Sequence, residues 1–306
     1  MELPLKIELR KERSFSDKMN GMFTYLSQNF KVIFRCLLFI VGPVALLAGI
    51  CNGIFQYQLT KIMPLDLAKN FGNAEMAGPN LFLNMMKNIF SPVYFAAILL
   101  STVSFVLVKC IVFSHFRLYA ESPTKEVAFE EVFNAVKSVF VKVFFSVFAA
   151  YIIIAVGFVL LAIPGIYLLV ALSMLLPVMI IEGAGFFDAL NRCFFLIKDK
   201  WWSTFGLLAI TLFMVWIGTF VFYLPMYIFQ ILRLTKVVGD DAEIWQILAS
   251  VISSVGGLMI YSLFSFAIGM QYFNLVERRE GKGLRSYIDD IGNTTESENR
   301  SNQVDL

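Results

Sequence analysis

Few side chains in this sequence are equipped for chemistry, and they are scattered. The one histidine, His115, stands in Ser114-His115-Phe116-Arg117 at the polar end of an apolar run, where it reads as an interfacial side chain rather than a general base. Cys36, Cys51, Cys110 and Cys193 lie in or beside apolar segments, and no two share the spacing of a metal knuckle or a redox pair. With one histidine, a multi-histidine metal centre cannot be assembled in one chain. No phosphate-cradling glycine loop or pair of acids on rigid elements stands out, so no catalytic set, cofactor site or metal site is expected. Lys109 and Lys142 sit near the ends of apolar runs, where they are expected to snorkel toward headgroups. Glu182, just before Gly183-Ala184-Gly185, is an edge acid placed to pair with Arg192 or to cap the next helix. No apolar run carries an acid at its centre, which argues against a proton- or sodium-coupled pump.

The most informative polar pattern reads Phe, any, acid, any, apolar, Asn, and it occurs three times. The copies are Phe15 to Asn20, Phe129 to Asn134 and Phe186 to Asn191, with the acid at Asp17, Glu131 and Asp188 and the amide at Asn20, Asn134 and Asn191. The register continues through Leu26, Phe140 and Ile197, then Phe30, Phe144 and Trp201, then Phe34, Phe148 and Phe205. Spacings of three, four and seven residues place these apolar side chains on one helix face. The expected unit is an amphipathic helix lying in the membrane interface, followed by a transmembrane hairpin, used three times. The short acids and amides are expected to cap helix ends and bridge helices.

The elements that carry these residues are apolar helices. The chain has 306 residues, 58% of them hydrophobic and only 16% charged, with a mean hydropathy of +0.73, a balance that demands lipid around it. Six stretches approach the roughly 20 residues needed to cross a bilayer. They are 32–55, 92–113, 143–163, 166–181, 204–229 and 245–270, and the predicted fold is an all-α polytopic bundle of three pseudo-repeats. The third and fourth are separated by Pro164-Gly165, read as the turn of a hairpin, with a re-entrant pair as the alternative. The first span is expected to serve as its own uncleaved insertion signal, because a polar and amphipathic stretch precedes it.

With both termini inside, 20 of the 25 Lys and Arg fall on the cytoplasmic side, which predicts an even number of spans with cytoplasmic termini. The net charge of +2 is too small to suggest nucleic acid as a partner. The segment 56–91 reads as an outer cap, and the membrane domain, 1–273, is followed by a polar tail, 274–306, expected to be largely disordered.

One region resembles a known family. Leu160 to Leu168, Pro177, Glu182-Gly183, Ala189 to Cys193 and Trp201-Trp202, together with the exit Tyr272 to Gly281, resemble the membrane domain attached to some bacterial glycerophosphoryl diester phosphodiesterases and related polytopic proteins. The serine usual in that family is replaced by Cys193, and no stretch is long and polar enough to encode the hydrolytic barrel. The resemblance therefore implies a membrane domain without hydrolase activity. Together with 32 phenylalanines and internal repeats of the kind found in transporters, it points to a non-enzymatic protein that handles a lipid-like or small amphiphilic molecule. The rival expectations are a scaffold that recruits protein partners through its amphipathic helices and, last, an intramembrane enzyme.

Overall fold

In the computed structural model, α1 (Phe15–Cys36) starts at an N-cap whose geometry follows from its residues. Ser14 Oγ accepts from the Asp17 backbone N–H at 3.3 Å, and the Asp17 carboxylate accepts from the Ser14 backbone N–H at 3.3 Å and from its hydroxyl at 2.6 Å. Free donors at the helix start are thereby matched. The structure describes residues 7–62, 83, 86–121, 126–234 and 243–281. Most of the expected outer cap, and the tail beyond 281, lie outside the described residues.

From α1 the helix continues through a π-helical turn, Leu37–Val41, into α2 (Gly42–Ile62). The Gly42 N–H bonds to Leu37 O, one residue further back than in an α-helix, directly before Pro43. Pro43 has no N–H and its ring crowds the preceding turn, and the wider turn takes up the misfit. The chain returns through α3 (Pro92–Glu121), α4 (Phe129–Leu160), α5 (Ala162–Leu172), α6 (Leu175–Ile181), α7 (Phe186–Ile197), α8 (Trp201–Leu234) and α9 (Glu243–Glu280). Six helical stretches are long and apolar enough to span a membrane, with α1–α2 and α5–α6 each counting as one stretch. The all-α, six-span expectation holds, and the chain is a multi-pass integral membrane protein.

Two boundaries differ from the sequence expectation. The turn between the third and fourth spans is at Leu161, whose backbone is extended, rather than at Pro164-Gly165. Pro164 sits inside the first turn of α5, where a missing N–H costs nothing because that donor would have had no helical acceptor. Gly165 faces α4: a methyl group there would lie 2.5 Å from Phe158 Cγ. The tip of this hairpin has no polar side chain, and Val159 and Ile163 are 86% and 81% exposed, so the turn is apolar and uncovered by the rest of the described residues. The second difference is at the C-terminal end of α9. The helix runs unbroken past 273 to Glu280, with Asn274, Leu275, Val276 and Glu277 buried, so the expected tail starts later than 274.

The expected interfacial lead-ins are also not separate for the first two copies of the motif. α1 and α2 form one helix from Phe15 to Leu59, 45 residues long, and α4 carries its lead-in and span without a break. Only α7 stands apart from the span that follows it, buried through Ala189, Cys193, Leu196 and Ile197 and exposing Phe187, Phe194 and Phe195.

α9 is the central element, packed along α8, α2 and α3. Its contact with α2 is close because a Cβ on Gly49 or Gly53 would come within 2.7 Å of Val251 Cα or Ile247 Cα. Small residues four apart let helix backbones approach in lipid, where dispersion replaces the hydrophobic effect as the packing force. Toward the other end of α9, an aromatic cluster joins three helices: Tyr25 of α1 stacks on Phe116 of α3 with centroids 4.4 Å apart, and Phe116 meets Phe266 and Phe273 of α9.

Candidate functional site

At the end of the bundle where Arg192, Lys200, Arg278 and Arg279 gather, called here the basic end, the polar residues are knitted together. Arg192 Nε lies 3.1 Å from Glu182 Oε2, its guanidinium also pairs with Glu280, and the Tyr272 hydroxyl donates to Glu182 Oε1 at 2.8 Å. Arg279 bonds Asp199 Oδ2 at 3.2 Å and the Lys198 carbonyl, which fixes the α7–α8 turn in which Asp199 adopts a positive φ of 65°. Nearby, Lys18 donates to Gln271 Oε1 at 2.9 Å and to Ser203 Oγ at 3.3 Å, and Gln271 donates to Thr204 Oγ1 at 2.8 Å. The Arg13 backbone N–H reaches Asn274 Oδ1 at 2.8 Å. α1, α6, α7, α8 and α9 are thus tied to one another by charge-assisted bonds, the stronger class of hydrogen bond.

The expected pairing of Glu182 with Arg192 is present. His115 is not interfacial: it is fully buried and shares a 2.5 Å hydrogen bond between its Nδ1 and the Tyr25 hydroxyl. Buried polar groups need such partners, and α1 supplies one. The six motif residues are not brought together. Asp17 and Glu131 each sit three residues beyond an N-cap, with Glu131 accepting from the Ala128 N–H at 3.1 Å. Asp188 occupies the first turn of α7, and Asn20, Asn134 and Asn191 are exposed.

The open space lies elsewhere, in two cavities stacked along α3 and α9. The one farther from the basic end has a volume of about 260 Å³ and is walled by hydroxyls and amides: Asn52 and Gln56 of α2, Ser101 of α3, Thr219 and Tyr223 of α8, and Ser250, Ser253 and Ser254 of α9. Among the described residues, no charged side chain lines it. Beside it, the fully buried Gln246 donates to Gln56 Oε1 at 3.3 Å, while its own Oε1 has no hydrogen-bond partner among the described residues.

The second cavity, about 300 Å³, is walled mostly by Leu, Ile, Val and Phe of α3, α4, α5, α6, α8 and α9. Three of its lining residues, Tyr151, Leu169 and Leu212, are about half exposed, so it opens sideways between α4, α5 and α8 onto the lipid-facing surface. Tyr261 lines both cavities and packs edge-on against Phe105 at 4.9 Å. Along α3 the same face carries Ser101 and Phe105 into the polar cavity and then Lys109 and Phe113 into the apolar one. Lys109 therefore does not snorkel past the helix end as expected.

Sequence reasoning missed this constellation because it searched for ionisable groups. The legible signal was a helical stripe of small and hydroxyl residues in α9, Ser250, Ser253, Ser254, Gly257 and Tyr261, inside an otherwise apolar span. Among the described residues, no group of three or more His, Cys, Asp or Glu is placed to hold a metal ion. No protein-family model, curated protein or solved structure matches the chain.

Proposed function

We propose that this membrane protein binds a lipid-like or small amphiphilic molecule inside its helix bundle and holds or moves it without covalent chemistry. The observation that supports the reading is the stacking of a laterally open apolar cavity against a polar, uncharged one, with Tyr261 common to both. An amphiphile needs two such environments side by side, because a polar head stranded in hydrocarbon costs several kcal/mol unless donors and acceptors meet it. On the same reading the resemblance to the phosphodiesterase-linked membrane domain is one of architecture. The residues that carry it converge in the fold, Glu182 on Arg192 and Tyr167 stacked on Trp201. The resemblance supports a bacterial inner membrane, and the Lys and Arg distribution supports both termini in the cytoplasm, so that the basic end faces inward.

The test fills each cavity in turn. Leu212→Trp at the mouth of the apolar cavity and Ser253→Trp in the polar one are reconstituted beside the wild type in lipid nanodiscs, and retained lipid is measured by native mass spectrometry. Transfer of a fluorescent lipid between leaflets is followed in proteoliposomes. The expected result is retained amphiphile and a transfer rate above that of empty vesicles for the wild type, both reduced in the variants. Identical lipid content and identical transfer in all three proteins sinks the proposal.

A further inference from the structure

Among the described residues, the apolar cavity has one charged lining residue, Lys109. It lies four residues beyond Phe105 on the cavity-facing side of α3, and among the described residues its ammonium makes no hydrogen bond and no ion pair. An ammonium held in an apolar wall without a counter-charge is costly, and in membrane spans such groups mark ligand or counter-ion positions.

Two further residues that carry a hydroxyl donor line the cavity. Tyr151 of α4 and Tyr261 of α9 line it, and among the described residues neither hydroxyl has a hydrogen-bond partner. The last hydroxyl in the lining, that of Ser173, already donates to Val170 O at 2.7 Å. An ammonium and two phenols are all able to donate, and the lining contains no carboxylate. Such a set is complementary to an anion with two or three acceptor oxygens. The remaining walls and the sideways opening suit an acyl chain, which would be expelled from a polar site.

We infer that Lys109, with Tyr151 and Tyr261, binds the anionic head of an amphiphile at the level where Tyr261 joins the two cavities, its acyl chain entering between α4, α5 and α8. This assignment rests on the amphiphile-handling reading and names the ligand's charge. The head is a carboxylate or a phosphate monoester, as in a fatty acid or a lysophosphatidate, and the two share the chemistry of a small, multiply accepting anion on one chain.

The experiment uses the full chain in phosphatidylcholine nanodiscs, with tritiated oleate and tritiated oleyl alcohol as probes that differ only at the head. A charge-assisted head-group contact predicts that the wild type binds oleate about tenfold or more tightly than the alcohol. Lys109→Met should lose that preference while binding the alcohol as before, and Lys109→Arg should keep most of it. Removing an uncompensated ammonium should not lower the thermal midpoint, which verifies that the Met variant is folded. Displacement of oleate by lysophosphatidate at lower concentration than by unlabelled oleate identifies the phosphate head, and the reverse order identifies the carboxylate. Displacement by inorganic phosphate alone would overturn the need for an acyl chain. Equal affinity for oleate and the alcohol in the wild type, or an undiminished preference in Lys109→Met, overturns the head-group assignment and leaves amphiphile handling standing. Failure of the wild type to bind either probe overturns the handling reading itself.

Discussion

Replacing Gly53 by alanine puts a methyl group 2.7 Å from Ile247 Cα, a backbone atom that cannot rotate away. Ordinary van der Waals contact begins at 3.4 Å, so α2 and α9 must part by about 0.7 Å at this level, a gap that forfeits about a quarter to a half of the local dispersion energy. Overpacking of this kind costs about 1–3 kcal/mol, against which the better helix propensity of alanine returns about 1 kcal/mol at most. With that return in full, the expected net loss is about 0–2 kcal/mol. Gly49, one turn away, makes the same approach to Val251 Cα, so a Gly49→Ala, Gly53→Ala double variant should lose clearly less than the sum of the single losses, since one separation relieves both clashes. Reversible unfolding by steric trapping in a fixed lipid mixture measures all three variants on one scale. A Gly53→Ala protein more stable than the wild type would show that the helices do not meet there, and strict additivity would show that the two approaches are independent.

Other perturbations test other parts of the structure. Arg192→Met leaves Glu182 and Glu280 facing each other and should cost about 1–3 kcal/mol by the same assay. Arg192→Lys should recover only part of this loss, because an ammonium cannot reproduce the planar two-pronged contact; full recovery would reduce the pair to simple charge attraction. Tyr25→Phe removes the hydroxyl bonded to His115 Nδ1 and should cost about 1–2 kcal/mol, and no change in the unfolding free energy would mean that this buried bond is not formed. A cysteine placed at Leu161 should resist a membrane-impermeant maleimide added to either side of the bilayer, whereas one placed at the exposed Ser138 of α4 should react from the side of the basic end; rapid labelling at 161 would put the hairpin tip in water.

How much of this was legible in the residues depended on the physics behind each inference. Lipid demands long apolar helices regardless of packing detail, so all six spans could be found from hydropathy alone. Helix starts were also legible, since Phe15, Phe129 and Phe186 each open a helix and their acids follow in its first turn. The turn at Leu161 was not, because Pro164 signals a break equally well whether it stands in the turn or one turn inside the next helix. The burial of His115 and the inward aim of Lys109 depend on which helix packs beside α3, and a single sequence does not encode that pairing. The polar cavity was hidden for a different reason: serine, threonine and tyrosine weigh little in a hydropathy average, yet three helices bring them onto one cavity, opposite the amides of Asn52 and Gln56 of α2.

The uncharged, exposed apolar tip at Leu161 also bears on how the protein enters the membrane. A hairpin that must carry a hydrated loop to the far side needs the insertion machinery, or the membrane potential, to move polar groups through hydrocarbon. Between Phe158 and Ile166 there is no side chain that requires such transport. The α4–α5 pair can slide in as one preformed wedge from the side where Lys142 holds the Ala184 carbonyl. Its biogenesis should therefore proceed unchanged when the membrane potential is collapsed.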